Sequence, residues 1–174
     1  MNNSEALPTN ALNKAIVLIG PMGVGKTTVG KKLAKVLRVP FIDTDAIVTA
    51  KYGDISKIFE EQGEAVFRSF EEDAVAEAIS SPAIVATGGG AVLSERTRER
   101  LKDKTVVYLS SDGRHMGSRL KNGNRPLIKN GLDDWRRIYD QRRSTYEAVA
   151  NFEVMVSGLS LSAAVAKIRE LLGV

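Results

Sequence analysis

Gly20-Pro21-Met22-Gly23-Val24-Gly25-Lys26-Thr27 fits the pattern G-x-x-x-x-G-K-[ST], a Walker A loop. Its surroundings decide the fold. Upstream, Ala15 to Ile19 is an apolar run suited to a buried strand; downstream, Val29, Leu33, Val36 and Leu37 recur at helical spacing. Strand, glycine-rich loop and helix in this order make a phosphate cradle. Glycines let backbone N–H groups turn inward around a polyphosphate, Lys26 reaches its outer oxygens, and the Thr27 hydroxyl can ligate magnesium. A mere glycine-rich turn would leave Lys26 unexplained, because a cation at the positive end of a helix dipole is disfavoured unless an anion binds there. Gly23, Val24, Gly25, Lys26, Thr27 and Thr28 are therefore candidate contacts to ATP, and Lys26 is also a candidate catalytic residue.

Beyond this unit, Phe41 to Ile42, Ala83 to Ala86, Thr105 to Leu109 and Phe152 to Val156 read as four further strands, separated by helical patterns. Alternation of this kind implies an α/β fold in which helices cover both faces of a five-stranded parallel sheet, with ligands gathered at the carboxyl ends of the strands. Residues 1–13 mix Asn, Ser, Pro and Thr without periodicity and are expected to form a flexible extension, leaving 14–174 as a single domain. Lys121 to Gly131 carries two Asn-Gly pairs and is too long for a simple turn, so about 121–131 is the candidate lid.

Composition narrows the class. The 174 residues are 43% hydrophobic, enough to bury a core. No apolar run approaches the roughly 20 residues of a membrane span, and the first residues lack a secretory pattern, so a cytoplasmic protein is expected. The absence of cysteine excludes disulfides, thiolate zinc sites and a cysteine nucleophile. Twenty-five basic residues stand against 21 acidic ones. Lys31, Lys32, Lys35 and Arg38 share a helix with core-facing residues and read as its solvated face, not a nucleic-acid surface.

A phosphate-loop enzyme needs a further carboxylate at a strand end to support magnesium. The later strands run into Ser110 and into Thr87-Gly88-Gly89-Gly90, which leaves Asp43-Thr44-Asp45 after the second strand. Asp43 is assigned to the metal, and Asp45, two residues on, can face the same cleft and meet an acceptor hydroxyl. The competing reading is that these residues cap the next helix. Gly88, Gly89 and Gly90 remove all side chains and allow a ligand close to the backbone. Arg68 lies at i,i+4 spacing from both Glu64 and Glu72, the pattern of a surface ion pair, and Arg142 and Arg143 fit a solvated helical face. Arg125 stands in the long polar loop, His115 reads as a solvent-facing helical residue, and Trp135 as a packing residue near a helix start.

Together, the Walker A loop, Asp43-Thr44-Asp45, Phe67-Arg68, Gly88-Gly89-Gly90, Arg125-Pro126-Leu127 and Arg142 to Tyr146 resemble shikimate kinase from about Lys14 to the C-terminus. The resemblance implies a P-loop fold of nucleoside-monophosphate-kinase type with a mobile lid, transferring the ATP γ-phosphate to the 3-hydroxyl of shikimate on the route to chorismate. By that resemblance Asp45 orients or deprotonates the nucleophile, Asp43 supports Mg2+ with Thr27, and Arg68 and Arg142 clamp the shikimate carboxylate. Gly88 to Gly90 present N–H groups to the substrate, and Arg125 swings from the lid onto the phosphates as a catalytic residue. An R-x-x-x-Y pattern selects Arg142, with Arg143 as the reserve. Arg119 would flank adenine, while Val156 to Leu161 lacks the proline that the family often places opposite. The implied partners are small molecules, with no nucleic acid or membrane, and the implied state is a monomer. Other small-molecule kinases on the same scaffold, acting on gluconate or nucleotides, share the ATP half. An NTP-driven switch is disfavoured by the lack of an Asn-Lys-x-Asp motif.

Overall fold

In the computed structural model, which describes residues 12–121 and 125–174, Ile16–Ile19 forms strand β1 with every residue buried. Such a run suits a central strand covered on both faces. Its side chains alternate. Ile16 and Leu18 pack with Leu33 of helix α1 (Lys26–Leu37) and Ile168 of α8 (Leu161–Leu172), whereas Val17 and Ile19 pack in a second core with Val75 of α4 (Glu64–Ala78) and Trp135 of α7 (Leu132–Val149). One strand thus feeds two layers because successive residues point to opposite faces.

The other strands are β2 (Phe41–Asp43), β3 (Ile84–Ala86), β4 (Thr105–Ser110) and β5 (Phe152–Met155), in parallel order β2-β3-β1-β4-β5. β1 pairs Ile16 with Ile84 on one side and with Thr105 on the other. The expected five-stranded α/β sheet with helices on both faces is therefore observed, with strand ends shifted by a residue or so from the apolar runs. The connection from β1 leads to β2 on one side of the sheet and that from its neighbour β4 leads to β5 on the other, and the crevice at such a switch point is where α/β sheets bind ligands. Three strand ends meet there: Gly20 to Gly25 after β1, Asp43 at the end of β2 where the chain passes directly into a helix at Thr44, and Thr87 to Gly90 after β3.

Helices α2 (Thr44–Tyr52) and α3 (Ile55–Gln62) join α4 around a small core of Val48, Ile58, Phe67 and Ala74 beside the sheet end. A short α5 (Glu95–Leu101) precedes β4 and α6 (Met116–Leu120) follows it. Among the described residues no helix is long and apolar enough to cross a membrane. Residues 1–11 of the expected extension and 122–124 of the expected lid stretch lie outside the described residues. Leu12, placed by composition in that extension, is buried with the α1 and α8 layer, so the packed chain begins before residue 14.

Candidate active site

The phosphate loop is shaped by its ends. Gly25 takes φ 106° as the residue before α1, a left-handed conformation that glycine adopts without the Cβ penalty, and this turns the chain directly into the helix. Lys26, buried at 8% exposure, folds back so that Nζ donates to the carbonyls of Gly20 and Pro21, both at 2.8 Å. Burial lowers its pKa to about 8 despite the opposing fields of Asp45 and Asp43, with Arg125 and Arg142 adding to the fall. Lys26 thus has cationic as well as anionic neighbours. Arg119 lies across the loop, Nη1 donating to Gly23 O at 3.1 Å and Val24 O at 3.2 Å.

Thr27 and Asp43 meet across the cleft: Thr27 Oγ1 donates to Asp43 Oδ2 at 2.8 Å. Asp43 Oδ1 accepts from Asp45 N at 2.9 Å, so the residue also caps α2. The capping and metal readings are compatible, since each uses a different carboxylate oxygen. Thr27 donates its hydrogen to Asp43 and keeps lone pairs for a hard cation, a donor set that suits Mg2+ completed by phosphate and water. Among the described residues no group of three or more His, Cys, Asp or Glu is placed to hold a metal on its own. Burial, then Asp43, raises the pKa of Asp45 above the ordinary carboxylate value.

A cavity of about 630 Å³ runs from Thr27 and Asp43 past Arg119 to Val156, Leu159 and Ser160 beyond β5. A second, of about 170 Å³, is bounded by Phe59, Phe67, Arg68, Glu71, Gly90 and Arg142. The two share Met22, Asp45, Gly88, Gly89 and Arg125 as walls. Arg142 is buried at 7% exposure within the smaller cavity, whereas Arg143 faces outward, bonded to Asp140 at 3.4 Å with its guanidinium over the Tyr139 ring. Arg125 Nε is buried without a partner among the described residues.

Glu71 was not legible as a site residue. Helical spacing pairs Arg68 with Glu64 and Glu72, but of these only Glu64 bonds to it, at 3.1 Å. Glu72 turns toward α5, accepting from Ser94 Oγ at 2.7 Å, and the buried partner of Arg68 is Glu71 at 2.7 Å. One residue of helix rotation separates the two carboxylates, and only packing tells which faces the cavity. Burial raises the pKa of Glu71, opposed by Arg68. A Cβ on Gly88 would collide with Glu71 Oε1, and one on Gly90 with the Arg68 guanidinium, so the glycine run makes room for this ion pair as well as for a ligand. His115 is exposed as expected, though it stands just before α6 and not within it, and it lines a small cavity with Arg119. Trp135 is buried as expected, and its indole also donates to Met22 O at 2.9 Å.

A family model for shikimate kinase matches residues 22–172. The chain belongs to the shikimate kinase family. Among curated members it is 47% identical over 146 residues to a shikimate kinase of Salinispora arenicola, covering 82% of this chain and 87% of the relative. It is 45% identical over 147 residues to that of Streptomyces coelicolor, covering 82% and 86%. Its structure resembles the shikimate kinase of Acinetobacter baumannii solved in complex with shikimate, with TM-score 0.85 and 35% identity over 91% of this chain and 92% of that one. Membership makes the chain an ATP-dependent kinase.

Proposed function

We propose that this shikimate kinase family member transfers the ATP γ-phosphate from the larger cavity to the 3-hydroxyl of shikimate in the smaller one, releasing shikimate 3-phosphate and ADP. The observation that carries this residue-level reading is the shared wall: Asp45 and Arg125 face both cavities, with Lys26 on one side and the Arg68 and Arg142 guanidiniums on the other. The two guanidiniums supply planar forks that suit a carboxylate, and Asp45 stands where an acceptor hydroxyl would approach the phosphate.

In this reading Gly23 to Thr28 hold the polyphosphate through backbone N–H groups and the Lys26 ammonium. Bound phosphate oxygens stabilise the Lys26 ammonium and offset the burial that depresses its proton affinity. Mg2+, held by Thr27 and supported by Asp43, would neutralise charge on the phosphates. Asp45 accepts the hydroxyl proton, and its raised proton affinity suits that task. Arg125, with a buried N–H free, donates to the transferring group, and the stretch that carries it serves as the lid. Arg119 and the Val156 to Leu161 segment flank the nucleobase. Because the transition state is loose, this work is mostly positioning and electrostatics. The chain acts as a cytoplasmic monomer of one domain, without nucleic-acid or membrane partners.

The test is ADP release from MgATP by the purified protein with shikimate, gluconate or nucleoside monophosphates as acceptors, with the phosphorylated product identified. Shikimate-dependent release with shikimate 3-phosphate supports the reading. Release dependent on another acceptor alone overturns the acceptor half and, with it, the roles of Asp45, Arg68 and Arg142.

A further inference from the structure

We propose that Trp135 is a positioning residue for phosphoryl transfer, its indole N–H fixing the phosphate-loop residue Met22 that stands between the donor and acceptor cavities. The inference rests on the activity proposed above. Trp135, Tyr139, Arg142 and Tyr146 share one face of α7, at helical spacing. That face meets the site at two backbone carbonyls: Trp135 Nε1 donates to Met22 O at 2.9 Å, and Tyr146 OH donates to Gly89 O. Arg142, between them on the helix, enters the acceptor cavity.

Met22 and Gly89 are themselves neighbours. A Cβ on Gly89 would come within 3.1 Å of Met22 N, and both residues line both cavities. One helix therefore holds the phosphate loop, the acceptor loop and a guanidinium of the acceptor cavity in a single frame. Apolar packing alone would use the indole ring; aiming its N–H at a loop carbonyl adds direction. Burial pushes the Tyr146 phenol up to about 12, which keeps the parallel bond supplied with its proton. The start of α7 is secured in turn, since Asp134 Oδ2 accepts from Lys129 N and Asn130 N, each at 2.8 Å. Transfer between two bound ligands is steep in distance and alignment, so a small drift of Met22 against Gly89 would slow chemistry more than binding.

The chain holds a single tryptophan, so biosynthetic replacement by benzothienylalanine exchanges one N–H for sulfur and keeps the ring, while 5-fluorotryptophan keeps the N–H. Trp135→Phe serves as a genetic second variant. The readouts are the single-turnover rate of shikimate phosphorylation at saturating MgATP, the dissociation constant of shikimate without nucleotide, and Tm. The expected result is a fall of about tenfold in the single-turnover rate for the benzothienyl protein and for Trp135→Phe, shikimate affinity within about twofold, and a normal rate for the 5-fluorotryptophan protein. A folded benzothienyl protein with an unchanged single-turnover rate, whatever its Tm, would overturn the proposal and leave Trp135 a packing residue. Absence of shikimate phosphorylation in the unsubstituted protein would instead count against the activity on which the inference rests.

Discussion

Glu71 Oε2 accepts from Arg68 Nη1 at 2.7 Å while its other oxygen, Oε1, is buried beside Gly88 without a partner among the described residues. The carboxylate therefore aims the guanidinium into the smaller cavity and leaves an acceptor for a hydroxyl or a water. Glu71→Gln keeps the shape but weakens the charge-assisted bond. It is expected to raise KM for shikimate about tenfold while changing kcat less than about threefold. Steady-state kinetics at saturating MgATP decide it; an unchanged KM would show that Arg68 needs no such anchor.

The neighbouring arginines of α7 should separate cleanly. Arg142 is buried in the cavity, and Arg143 lies outside on Asp140. Arg142→Ala is expected to weaken shikimate binding by at least about tenfold, the loss of one charged fork, and Arg143→Ala by less than about twofold. Titration calorimetry with shikimate measures both. A reversed order would move the carboxylate clamp to Arg143.

Gly90→Ala places a methyl group against the Arg68 guanidinium. Because that group is the far end of a flexible side chain, the fold should survive while the guanidinium is displaced. The expected outcome is a rise of about tenfold in KM for shikimate with Tm lowered by less than about 4 °C. Thermal melting and kinetics on the same preparation test the pairing of effects, and a normal KM would show that Arg68 relocates without consequence.

Lys26 links pH to both activity and stability. Its folded pKa of about 8 lies below the unfolded value, so the folded state holds the charge at a penalty that is full below about pH 8 and relieved as pH rises toward 10.5. Lys26→Met removes that penalty and is expected to raise stability at pH 7 by up to roughly 3 kcal/mol while abolishing most phosphoryl transfer. In the unsubstituted enzyme, kcat/KM for ATP should fall as pH rises through about 8, because the free loop then loses its ammonium. Denaturant titrations at pH 7 and pH 10 check the first expectation and a pH profile the second. A Lys26→Met protein less stable than the parent at pH 7 would contradict the assigned penalty.

Much of this was local enough to read in one dimension. Ala15 to Lys26 announces strand, loop and helix because burial of a run such as Ile16–Ile19 and the turn at Gly25 depend on residues a few positions apart. Strand and helix alternation implies the parallel sheet, and Asp43-Thr44-Asp45 stands out as the strand end that carries a carboxylate. Tertiary structure alone chose Glu71 over Glu72, joined Arg68 and Arg142 around one cavity, and brought Trp135 to Met22 O. Hydrophobic periodicity records which residues turn inward on their own element. Which inward residues meet depends on how two elements are rotated against each other, and that rotation is set by packing among residues far apart in the chain.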